Sequence, residues 1–165
     1  MGVEADLAAP DRGVIGRVLR AAAAVFVLDG LYVLVVFVLI LRRTTVERLF
    51  QGIAHAVLGQ AAFSGGWSSA FLGVLLHFSV ALGWSSVWMI AYERSDLLLR
   101  ATITLPRAII VGAAYGIFVW LAMHFIVLPL TYAKPAPLLN FGSILVGVAH
   151  LLVVGPPIVL LERHQ

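Results

Sequence analysis

The chain reads as an all-α polytopic membrane protein, with four transmembrane helices and a short amphipathic or re-entrant helix between the first two. Of its 165 residues, 62% are hydrophobic and 12% charged, and the mean hydropathy of +1.04 lies outside the range of soluble domains. The charges collect in clusters separated by apolar stretches of roughly 20 residues, the length that crosses a hydrocarbon core of about 30 Å. Between Arg48 and Glu93 there is no Asp, Glu, Lys or Arg, a run that holds one full span and a shorter piece in front of it. This composition excludes a disordered tail protein, which needs charge, and a nucleic-acid-binding domain, which needs a basic face. With no Cys in the chain, thiolate metal sites, disulfides and a Cys nucleophile are excluded as well.

The first span is placed at 21–41, bracketed by Arg17 and Arg20 on one side and by Arg42 and Arg43 on the other. It is too long for a signal-peptide core and lacks a small-residue cleavage site before the arginine pair, so it is expected to stay uncleaved. The short helix occupies 46–62. Val46, Leu49, Phe50, Ile53, Val57 and Leu58 recur at helical spacing, while Arg48, Gln51, Gly52, His55 and Gly59 fall on the opposite stripe. Such a helix lies in the interface or tucks against the bundle. A fifth crossing by this segment is the alternative, at the lower limit of spanning length. Ser64, Gly65 and Gly66 then turn the chain.

The second span, 67–92, is closed by Glu93 and Arg94, and the charged run through Asp96 and Arg100 reads as a solvated loop. The third, 108–130, follows Pro106 and Arg107, proline being suited to the first turn of a helix. Asn140 caps the fourth, 141–161. Pro129 marks the exit of the third span, and Gly155, Pro156 and Pro157 predict a kink or an early end in the fourth. Trp67, Trp88, Tyr92 and Tyr132 sit near span ends, as interfacial belts do. With four spans, seven Arg and Lys fall on the side of both termini and four on the other, so both termini are expected in the cytoplasm. The basic balance points to anionic headgroups of a lipid bilayer rather than to nucleic acid, and a homo-oligomer is compatible with so small a bundle.

Helices in lipid associate through small residues and hydrogen bonds. Ser69, Gly73 and His77 are four apart, as are Gly112, Gly116, Trp120 and His124; Ser143 and Gly147 lead to His150. A histidine continues each small-residue stripe and so turns inward. Asp29 lies deep in the first span, where a lone carboxylate is disfavoured by roughly 2.5–3.5 kcal/mol on insertion scales and needs a proton, a partner or an interior position. At about 1.5 Å per residue, Asp29, His77, His124 and His150 fall within a slab of roughly 10–12 Å. Four readings of this set stand open: interhelical packing, a proton or ion path of a small transporter or channel, a haem or metal site, and membrane-embedded catalysis. No cofactor is required by any motif, and no serine sits in a nucleophile elbow. His55 and His164 are poorer candidates, one on a polar stripe and one past the last span.

The pattern resembles a group of small uncharacterised bacterial inner-membrane proteins related to YagU. Its carriers are Asp29-Gly30, the run Ala61-Ala62-Phe63-Ser64-Gly65-Gly66, Gly73 with Leu76-His77-Phe78, Tyr92, Gly112 and Gly116, Met123-His124 with Leu128-Pro129-Leu130, and His150 before a charged end. The chain departs from the group in its first connection and in carrying His55 where a serine is expected. The resemblance implies a polytopic inner-membrane protein with the same candidate residues and no established reaction.

Overall fold

The computed structural model describes residues 12–163. Among them the secondary structure is helical throughout: α1 (Arg12–Val33), α2 (Val46–Leu58), α3 (Gly66–Glu93), α4 (Asp96–Ala101), α5 (Leu105–Ala122), α6 (Phe141–Ala149) and α7 (Gly155–Glu162). Short π and 3₁₀ turns extend α1, α2 and α5 and join α6 to α7. Four stretches are long and apolar enough to cross a membrane: Gly13–Ile40, Gly66–Glu93, Leu105–Leu130 and Phe141–Glu162. These are spans 1 to 4, and the chain is an all-α, multi-pass bundle. The helix of span 1 already includes Arg12, well before residue 21, and within this added stretch Arg17 finds partners inside the bundle. Its guanidinium donates to Glu93 Oε1 at 2.7 Å and to the Glu162 carbonyl at 2.8 Å.

The segment 46–64 does not cross. As a helix of 13 residues, α2 is only about 20 Å long at 1.5 Å per residue, and Gly59, with φ +57°, turns the chain into a 3₁₀ helix over Gly59–Ser64. This return leg brings Phe63 back to Arg48, whose guanidinium donates to the Phe63 carbonyl at 3.2 Å. Gln51 Nε2 bonds both Glu47 Oε1 and the Gly66 carbonyl, each at 3.1 Å. Start and end of the hairpin therefore lie together on the side from which α3 departs. On α2, Gln51 of the polar stripe is buried against α3 while Arg48 is exposed, and Val57 and Leu58 of the apolar stripe are exposed. In lipid the polar stripe is the one that needs protein partners.

Span 1 packs against α3 and α7, α5 packs against α7, and α2 lies along α3. Spans 2 and 3 meet instead through rings and a hydroxyl. Tyr115 donates to the Trp84 carbonyl at 2.7 Å, and its ring lies 4.9 Å from that of Trp88. Trp88 and Tyr92 are thus part of the core with Val25, Val119 and Ile158, not members of an interfacial belt, whereas Trp67 and Tyr132 are exposed. The charged connection after span 2 is shorter as a loop than expected, because Ser95 caps α4 by accepting from the Leu98 N–H.

Glycine sets how close spans 3 and 4 come. A methyl group at Gly116 would overlap the His150 carbonyl, one at Gly155 would overlap the Gly112 carbonyl, and one at Gly112 would sit 2.6 Å from Pro156 Cα. Gly147 faces the Trp120 indole at 3.1 Å from a built Cβ. Gly73 serves α2 instead: a methyl there would strike the Phe50 carbonyl. Ser69 is buried beside Gly65, and Ser143 borders a cavity.

Three spans contain π turns, at Leu34–Ile40, Met123–Val127 and His150–Val154. In spans 3 and 4 the cause is downstream proline. A proline cannot donate, and its ring crowds the carbonyl four residues back. The ladder adjusts by widening: Leu128 N–H reaches the Met123 carbonyl and Gly155 N–H reaches the His150 carbonyl. Span 4 consequently runs on to Glu162 instead of ending at Pro156. The π turn of span 1 has no proline beside it.

Candidate functional site

Asp29 reaches the interior because it shares a face of α1 with Val25, one turn earlier, which is buried in the core. Its partner across the helix interface is His77 on α3, with Nε2 at 3.7 Å from Asp29 Oδ2. That distance is too long for a direct hydrogen bond and short enough for an ion pair. Asp29 Oδ1 and His77 Nε2 are both buried atoms without a hydrogen-bond partner. The backbone permits the approach at Gly30, where a built Cβ lies 3.8 Å from His77 Nε2. Phe26, one turn before Gly30, holds the imidazole from the side with ring centroids 5.4 Å apart.

The pair opens onto a cavity of about 400 Å³ that also exposes His150. Spans 1 to 4 and α2 all contribute walls, which include Ile53 and Val57 of α2, Leu76 and Trp84 of α3, and Met123 of span 3. His150 Nδ1 lies 2.9 Å from the Val146 carbonyl. That bond assigns the Nδ1 proton, so the neutral ring presents Nε2 as an acceptor. His150 is within electrostatic reach of both Asp29 and His77. Tyr32, one turn beyond Asp29, sends its hydroxyl to the Leu145 carbonyl at 2.9 Å and so ties span 1 to span 4 near the site.

His124 is placed elsewhere. Along span 3 the residues facing the Asp29 cavity are Val119, Met123, Val127 and Leu128, whereas Trp120 and His124 take another face. One residue of helix is a rotation of about 100°, and that rotation turns His124 away. It borders a second cavity of about 360 Å³ with Phe37, Asn140, Ser143 and His150. His150, Met123 and Leu128 therefore stand between the two cavities. His55 packs its ring 5.2 Å from that of Phe63 within the hairpin, and His164 lies outside the described residues.

The sequence reading did not mark Trp84 or Thr131, and gave no cavity-lining role to Met123 or to the α2 face of Gly52, Ile53 and Ala56, all of which line the main cavity. The fastening of α2 was equally unmarked. Tyr132 N–H donates to the Ala56 carbonyl at 3.2 Å, and the Tyr132 ring covers Gly59. The only signal for it was a glycine at the hairpin tip. Among the described residues no three His, Asp or Glu side chains converge in a way that would hold a metal ion. Comparison of the chain with models of protein families, with curated proteins and with solved structures gives no match.

Proposed function

We propose that the protein is a membrane-embedded binding protein, of carrier or channel type, whose cavity takes a small and largely apolar molecule with one polar group held at Asp29, His77 and His150. The observation that carries this reading is the combination of a 400 Å³ cavity with walls that are apolar apart from a few groups and three ionisable side chains from three different spans. Ligand sites are typically concave, mostly apolar and furnished with few convergent polar groups, and ionisable residues inside a membrane mark solute or proton paths. Packing alone accounts less well for unpartnered polar atoms on a cavity wall than for satisfied ones in a seam. The resemblance to the YagU-related proteins and the Arg and Lys distribution support residence in a bacterial inner membrane with both termini cytoplasmic.

A second reading, a proton path, has its own support: His150 borders both cavities, and the second one reaches Pro135, Ala136 and Asn140 in the connection between spans 3 and 4. Binding is tested with a neutral probe, 4-phenyl-1-butanol. It is expected to raise the thermal midpoint of the detergent-purified protein and to leave Ala56→Trp, in which the new indole fills the cavity, unshifted. An equal shift in both proteins would show that the alcohol acts on the micelle or the lipid face and would remove the reading.

A further inference from the structure

The charge of the cavity narrows the class of molecule that belongs in it. Among the described residues Asp29 is the one carboxylate on its wall, and no Lys or Arg lines it. A carboxylate in an apolar, membrane-embedded site is unstable as a bare anion and is neutralised by a proton or by a cation. The groups that face Asp29 are His77 from α3, His150 from span 4 and, on its own helix, Tyr32; α2 and span 3 place no titratable side chain on this cavity. None of these is a fixed cation. Asp29 Oδ1 has no hydrogen-bond partner, so acceptor capacity faces the space a guest would fill. The indole of Trp84 and the thioether of Met123 border the same space, and aromatic faces attract cations while apolar walls accept their hydrocarbon bodies.

We propose that the site binds lipophilic organic cations and that each cation exchanges for one proton held by the Asp29–His77 pair. This rests on the binding function proposed above and specifies its ligand. In the empty site one proton, on the carboxylate or on the imidazole, offsets the charge of Asp29. The arriving cation takes over that role, the proton leaves to water, and the net charge of the site is unchanged. Falling pH favours the proton, so cation binding weakens as pH falls, by up to tenfold per unit for competition with a single proton. A neutral molecule fills the same volume without releasing a proton, and an anion meets the carboxylate.

The test uses two probes of nearly equal shape and opposite charge, tetraphenylphosphonium and tetraphenylborate, neither of which can itself give up a proton. In weakly buffered detergent solution the phosphonium is expected to bind at least tenfold more tightly than the borate and to release up to one proton per protein. Asp29→Asn is expected to lose both the preference and the proton. His77→Gln, which keeps the carboxylate, retains the cation preference and alters its pH profile, so the proposal stays decidable if Asp29→Asn fails to fold. Equal binding of the two ions, or cation binding without proton release, overturns the proposal. If 4-phenyl-1-butanol still binds in that event, the cavity remains a ligand site and only the cation assignment falls; if it does not, the binding function falls too.

Discussion

The two halves of the bundle are built differently. Toward the side that carries residues 12 and 163, helices touch backbone to backbone along Gly112, Gly116 and Gly155, and Arg17 links spans 1, 2 and 4 through Glu93 and the Glu162 carbonyl. Ser85, Trp88, Tyr92 and Glu162 are all buried there. Toward the other side the spans contain π turns, the two cavities of the site lie between them, and the hairpin of α2 walls the main one alongside α3; a further groove of about 310 Å³ lies between spans 1 and 2 in the first half. Asp29, His77, His124 and His150 all border the looser half. Small residues at close approach tighten one end, and prolines that displace the hydrogen-bond ladder relax the other. A protein that only needed to hold together would gain from extending the glycine seam along its whole length.

That contrast sets an order of mutational effects. The largest belongs to Gly116→Leu, whose side chain would drive into the His150 carbonyl. Overpacking of this kind costs about 1–3 kcal/mol and more where backbone must move, so loss of the monodisperse peak in size-exclusion chromatography is expected; a normal elution profile would mean that the seam is not tight. Next comes Arg17→Ala, which removes charge-assisted hydrogen bonds to Glu93 and to the Glu162 carbonyl. Glu93 is partly exposed, which limits the effect to about 1–2 kcal/mol, read as a fall of several degrees in the thermal midpoint in detergent. Asp29→Asn is expected to stay within about 1 kcal/mol of the parent, since an amide of the same shape is less costly to hold in the membrane than a carboxylate. A collapse of stability there would assign Asp29 to packing and erase the functional difference between the halves. The smallest effect belongs to Gly83→Ala. Beyond its chain neighbours and the backbone of its own helix, no atom lies within 4 Å of a Cβ built at Gly83, so the helical gain of Ala over Gly, about 0.5–1 kcal/mol, leaves the midpoint unchanged or slightly raised.

The spans were legible because a bilayer imposes length and hydropathy directly on sequence. The stretch of span 1 before residue 21 was not, since Arg17 finds Glu93 and Glu162 far along the chain. The face of α2 was legible as a periodicity but not as a direction: Gln51 looks solvent-facing until the solvent is lipid. Pro129, Pro156 and Pro157 announced disturbed helices, yet the outcome in span 4 is a widened turn and not an early end, a choice set by Gly155 seated against Gly112 and Gly116. At the site, depth arithmetic put Asp29, His77, His124 and His150 in one slab of roughly 10–12 Å, and the geometry adds the 3.7 Å approach of Asp29 and His77. His124 shared that slab but not the azimuth. The stripe that begins at Gly112 leads it toward the second cavity, and small-residue spacing does not say which neighbour a stripe meets.

Because the chain has no native cysteine, one experiment can compare the halves directly. Ala81 and Ala108 are 4% and 0% exposed and both belong to the buried core, but Ala81 also borders the Asp29 cavity, whereas Ala108 borders neither that cavity nor the second one. With each replaced by cysteine in turn and the protein reconstituted in liposomes, N-ethylmaleimide is expected to modify Ala81→Cys, more slowly when 4-phenyl-1-butanol is present, and to leave Ala108→Cys unmodified. An Ala81→Cys protein as unreactive as Ala108→Cys would show that the cavity admits nothing and would contradict the account.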